Sequence, residues 1–160
     1  MRQSSIKETQ FSDSYTIDDM LLSRRYSPSA MRAVQPEHPQ AAQYMQALES
    51  LKYYMQDDWN GYGAKAIQKI TISTVRNFLK RIPNNFSYPD KIIPDVDGYI
   101  MLKWERDDKL CLVTADGMNL HFAYKDNRTN ERILYDDLPY TASETRIPSI
   151  IMQSIKKFPL

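Results

Sequence analysis

Between Tyr99 and Tyr135 apolar and polar residues take turns along the chain, and no other feature of the sequence restricts the fold as much. Ile100, Leu102 and Trp104 alternate with Tyr99, Met101, Lys103 and Glu105. Successive side chains of a strand point to opposite faces, so a period of two marks a strand with one face buried. Asp107-Asp108 turns the chain, and Leu110 to Ala115 supplies the next strand. Asp116-Gly117 is a hairpin signal of the type I′ kind, in which both central residues need positive φ. Met118, Leu120, Phe122 and Tyr124 then form one alternating face, Asp126 to Asn130 turns again, and Glu131 to Tyr135 can add a strand. Lys91 to Pro94 can add a short one in front. Strands joined in this way make an antiparallel meander.

The flanks carry the other period. Tyr44, Leu48, Leu51 and Met55 lie at helical spacing, as do Ile72, Val75, Phe78, Leu79 and Ile82, with Thr71 placed to cap and Pro83 to stop the second helix. Ser143 to Phe158 reads as a closing helix with Ile147, Ile150, Ile151, Ile155 and Phe158 as its stripe. A meander has one apolar face to cover, and amphipathic helices are the means to cover it. The expected fold is therefore α+β: an antiparallel meander of three to five strands packed on one face by two or three helices, with an N-terminal extension.

That extension, residues 1–40, is polar and carries Pro28, Pro36 and Pro39. Met20, Leu21, Leu22 and Tyr26 form its apolar cluster, which is expected to order on a partner rather than to join the core. His38 falls at its end. Residues 41–160 are expected to be a single α+β domain. Residues 1–10 contain no apolar leader stretch, and no apolar run approaches the roughly 18 residues of a membrane span. A cytoplasmic protein is expected, with no membrane partner.

Composition excludes several classes. The 21 Lys and Arg nearly cancel the 20 Asp and Glu, leaving +1, so binding of polyanions through bulk charge is excluded. A weak nucleic-acid contact remains as an alternative through Lys65, Lys69, Arg76, Lys80 and Arg81 around the second helix. One cysteine and two histidines exclude an internal disulfide framework and a zinc site of the Cys/His type.

One stretch between the helices stands out: Asp58-Trp59-Asn60-Gly61-Tyr62-Gly63-Ala64. Two glycines within three residues permit backbone angles closed to other residues, so Trp59, Gly61 and Gly63 read as a structured loop with the indole tucked into the core. Gly61-Tyr62-Gly63 follows a helix rather than a strand and lacks a following Gly-Lys-Ser/Thr, so nucleotide binding is not expected. Together with the helix that follows and with Asp97-Gly98-Tyr99-Ile100 leading into Leu102-Lys103-Trp104, this loop resembles a widespread group of small bacterial and prophage-type proteins. That group shares a Trp-x-Gly-x-Gly-Ala loop and an Asp-Gly-x-Ile-x-Leu-x-Trp strand. The likeness spans roughly residues 48–125. It implies no named activity, so no catalytic residue is carried over from it.

Catalytic signals are sparse. Pro94-Asp95 followed by Asp107-Asp108-Lys109 matches the PD-(D/E)xK metal-nuclease pattern, in which Asp95 and Asp107 would hold Mg²⁺ and Lys109 would stand near the attacking water. The expected position of Asp107-Asp108 in a turn argues against it. Asp57-Asp58 is an acid/base candidate only on paper, because adjacent side chains rarely aim at one atom. Cys111 sits in a strand between two leucines, where an inert residue is expected. His121 lies out of phase with Leu120 and Phe122, on the polar side of its strand. The reading that follows is a non-enzymatic protein-binding module, an antitoxin, inhibitor or small accessory subunit of bacterial or phage mobile-element type, needing neither metal nor cofactor. Its partner is another protein, or a second copy of itself. Tyr62, Tyr99 and Met101 are the contact candidates within the body, because Tyr and Met suit adaptable interfaces.

Overall fold

The computed structural model of the chain describes residues 38–160. Met20, Leu21, Leu22 and Tyr26 lie outside the described residues. In chain order the elements are helix α1 (Ala41–Ser50), a short 3-10 helix (Leu51–Tyr54), α2 (Lys69–Lys80), strands β1 (Lys91–Pro94), β2 (Ile100–Arg106), β3 (Lys109–Ala115), β4 (Asn119–Asp126) and β5 (Glu131–Pro139), and α3 (Ser149–Ile155). The five strands form one antiparallel sheet in sequential order, β1-β2-β3-β4-β5. The α+β meander expected from the alternation is the fold.

Alternation becomes packing through the register. Ile100, Ala115 and Leu120 share one rung on the inner face; Leu102, Val113 and Phe122 share the next; Trp104, Cys111 and Tyr124 share the third. All nine are buried. Val75, Phe78 and Leu79 of α2, Leu48 of α1 and Ile151 and Ile155 of α3 belong to the same core. Cys111 is fully enclosed, and burial pushes its thiol up to about 12. A thiol kept protonated and walled off is a poor nucleophile. We expect a thiol reagent at neutral pH to leave Cys111 unmodified in the native protein and to label it once denaturant unfolds the chain. Labelling of the native protein at the unfolded rate would contradict its place in the core.

Several boundaries depart from expectation, each for a local reason. Helix α2 begins at Lys69, so Thr71 is not its cap; it lies on the buried side, as does Thr74, whose hydroxyl donates to the Gly117 carbonyl at 3.1 Å. The closing helix is shorter than the stretch 143–158, because Pro148 precedes its first residue. Proline cannot donate a helical N–H, and it disfavours helical angles at the residue before it. Strand β5 runs four residues past Tyr135. Met118, expected on the alternating face, sits in the hairpin loop and is 57% exposed. That loop is Gly117-Met118, closed by the Asp116 N–H on the Asn119 carbonyl at 3.1 Å. Gly117 alone has positive φ there, which excludes type I′.

The described residues begin at His38, inside the stretch assigned to the arm, and His38 belongs to the folded body. Its ring is buried, stacks on Tyr88 at 3.8 Å between centroids, lies 2.7 Å from the Phe86 carbonyl through Nε2 and accepts the Gln40 N–H at Nδ1. Among the described residues no helix is long and apolar enough to cross a membrane.

Candidate functional site

The glycine loop is a hydrogen-bonded knot. Asp58 has φ 60°, Gly61 77° and Gly63 85°. Asp57 Oδ1 accepts the Ala66 N–H, Asp58 Oδ1 accepts the Gly63 N–H, and Asn60 Oδ1 accepts those of Tyr62 and Ala64. The two aspartates are thus occupied as backbone acceptors, which accounts for acidic residues just beyond a helix end without any acid/base role. Trp59 is only half-buried, not tucked into the core. Its indole meets Tyr54 edge-on at 4.8 Å and donates to the Lys65 carbonyl at 3.0 Å, so it braces the loop from outside.

The segment that follows the glycine loop lies against the β1–β2 turn. Lys65 N–H donates to the Val96 carbonyl at 2.8 Å. Gly98, with φ 87°, faces the Ala66 carbonyl so closely that a Cβ would stand 2.9 Å from that oxygen. The end of the loop and the β1–β2 turn therefore interlock.

The nuclease constellation does not assemble. Asp95 lies in the β1–β2 turn, where its Oδ1 accepts the Asp97 N–H, and Asp107 lies in the β2–β3 turn with φ 46°. These turns are at opposite ends of β2. Seven residues of strand place them roughly 20 Å apart. No single ion bridges that gap, and of the two carboxylates only Asp107 shares the end of the sheet where Lys109 lies.

The sheet's outer face is where apolar surface collects. Ile93 pairs with Met101, and Lys103, Leu112, Ala123 and Leu134 form a rung from β2 to β5. Leu110, Leu112, Ala123 and Leu134 line a shallow hollow of about 290 Å³ whose rim includes Lys125 and Arg132. Leu134 is 74% exposed. Glu105 on this face is paired with Lys103, while Glu131, in the phase of the inner face, is paired with Lys157. Met101 and Tyr99 are half-buried, and Tyr99 stacks on His121. Tyr62 is 92% exposed at the tip of the glycine loop, remote in sequence from this face.

At one end of the same face lies a cluster that sequence reasoning missed. His121 Nε2 is 3.0 Å from Asp116 Oδ2, and Nδ1 is 3.4 Å from Asp136 Oδ1 and 4.0 Å from Asp137 Oδ1. A β-bulge assembles it. Leu120 pairs with Leu138 and Phe122 with Tyr135, so His121 faces two residues, Asp136 and Asp137, instead of one. Asp137 has φ 55°. Bulges re-aim side chains in this way, and the cost is the irregular backbone. Burial acts to raise the Asp116 carboxyl, but the N–H groups of Met118 and Asn119, together with His121, outweigh it and hold the carboxyl below its ordinary value. The only sequence signal was His121 on the polar phase with Asp-Gly before it and Asp-Asp after it. Nothing local gives the register that joins them.

Around α2, Lys69 and Arg76 join Lys52 on the rim of a second hollow between α1 and α2, with Leu48, Met55 and Ile72 as its apolar lining. Among the described residues no aromatic side chain lines it as a base-stacking platform would require. Comparison of the chain with protein-family models, with curated proteins and with solved structures finds no match.

Proposed function

We propose that this chain is a non-enzymatic protein-binding module, an inhibitor, antitoxin or accessory subunit of the kind carried by bacterial and phage mobile elements, and that it docks through the outer face of its sheet. The observation that carries the reading is the apolar, basic-rimmed hollow of Leu110, Leu112, Ala123 and Leu134. Among the described residues the helices cover the other face of the sheet and no element packs on this one. The charge chooses the partner's chemistry. Lys125 and Arg132 border the apolar floor, Glu105 is paired with Lys103, and the carboxylates of this face gather around His121, away from the hollow. An amphipathic segment with acidic flanks would complement both. The likeness of the loop and strand motifs to small prophage-type proteins supplies the biological setting.

The test is site-specific photocrosslinking in bacterial cells that carry the gene in its native context. A crosslinker at Leu134 should trap one discrete protein, and one at Lys80 on the helix side should not. Leu112→Glu should abolish the crosslink, because it places a carboxylate on the apolar floor. Lys125→Glu with Arg132→Glu should weaken it and remove its sensitivity to salt. Equal labelling from both positions, or a crosslink untouched by Leu112→Glu, would reject this face as the docking surface.

A further inference from the structure

We infer that Asp116, His121 and Asp137 form a binding site for a divalent transition-metal cation of the zinc class, with Asp136 beside the second imidazole nitrogen. One ligand atom from each of the three lies within 4.8 Å of the others, so a single ion can reach all of them after small side-chain rotations. The three come from separate segments: the β3–β4 hairpin, the middle of β4 and the bulge of β5.

The imidazole supplies the argument for a cation. Both of its nitrogens face carboxylate oxygens, Nε2 toward Asp116 and Nδ1 toward Asp136 and Asp137. Either ring nitrogen can ligate a cation through its lone pair, and carboxylate oxygens stand beside both. A cation bound at one nitrogen would be held by the imidazole and the carboxylates together. The proton on the other nitrogen then donates to the remaining carboxylate, which is the usual way a ligating histidine is oriented. Charge points the same way. Three carboxylates surround one imidazole, and among the described residues their ion-pair partner is His121 alone.

The donor set selects the class of ion. One imidazole nitrogen with carboxylate oxygens suits zinc and its neighbours, whereas magnesium and calcium prefer oxygen alone. Three protein ligands leave at least one position open to water or to a donor from a partner protein. Because the cluster adjoins the outer face, a bound ion could also take a ligand from whatever docks there. Competing sites within the body are poor: His38 has both nitrogens engaged and Cys111 is enclosed.

The experiment titrates the full chain with Zn²⁺, and separately with Mg²⁺, while calorimetry counts the sites and ¹⁵N correlation spectra follow the His121 ring. One equivalent of Zn²⁺ should shift the His121 ring nitrogens, and Mg²⁺ should not compete. His121→Gln should abolish that binding. Asp137→Asn should weaken it at least tenfold. Asparagine tolerates the positive φ at this position, so the bulge survives the change and the variant decides the matter even if His121→Gln does not fold. Ring resonances that ignore Zn²⁺, or an affinity unchanged in Asp137→Asn, would overturn the site.

Discussion

Replacing Trp104 with alanine is expected to destabilise the folded body by about 3–5 kcal/mol, the range for truncating a fully buried large aromatic. Trp104 has no exposed surface and occupies the third rung of the inner face, beside the small Cys111. Its indole N–H donates to the Ser87 carbonyl at 3.0 Å, and Ser87 in turn donates its hydroxyl to the Phe158 carbonyl at 2.8 Å. The truncation therefore does two things. It leaves a cavity where β2 meets the helices, and it strips a buried carbonyl of its donor, worth about 1–3 kcal/mol by itself. Trp104→Phe separates the two, since it keeps most of the volume and loses the N–H. Against a typical domain stability of about 5–15 kcal/mol, the alanine variant should melt far below the parent. Urea denaturation followed by circular dichroism measures it, with the slope unchanged if the folded and unfolded ensembles are preserved. A loss under about 1 kcal/mol would mean that the inner face is not the core.

Gly98→Ala should be the most damaging of the single-methyl additions. At φ 87° an L-residue already costs roughly 1–2 kcal/mol. The added Cβ would also stand 2.9 Å from the Ala66 carbonyl, a backbone atom that cannot rotate away. Relief requires the 64–67 segment to move off the β1–β2 turn, which endangers the Lys65–Val96 hydrogen bond and the seat of the Trp59 loop. Overpacking of this kind adds about 1–3 kcal/mol, for a total of about 2–5 kcal/mol. Gly61→Ala and Gly63→Ala make the control. Both positions have positive φ, but a Cβ at either meets nothing within 4 Å, so only the backbone cost of about 1–2 kcal/mol applies. Equal losses at all three positions would show that the interlock contributes nothing.

Trp59 and Trp104 show how legibility varies along one chain. Both are aromatic residues in motifs that stood out on first reading. Trp104 was read correctly because its burial follows from the phase of its own strand, a property of its immediate neighbours. Trp59 was assigned to the core on the strength of flanking glycines, yet those glycines shape a loop that the indole braces from the surface. Loop composition reports backbone angles, not the direction in which a side chain finally points. The same limit explains the hairpin at Asp116. The Asp-Gly pair located the turn, but which two residues form the loop depends on the Ala115–Leu120 register.

The sequence by itself determined the class of fold, because periods of two and of 3.6 are local and each dictates which face of its element seeks a core. It located the turns, through glycine and aspartate, and placed the end of α2 before Pro83. Only the tertiary structure decided which distant side chains meet. Asp95 and Asp107 match a nuclease pattern in sequence, yet an extended strand holds them at opposite ends. His121 and Asp137 form no recognised pattern, yet a single extra residue in β5 turns the carboxylates of Asp136 and Asp137 toward the ring. The physical reason is that a sheet converts sequence distance into space through register. A one-residue bulge or a two-residue loop resets that conversion without leaving a mark in the periodicity on either side.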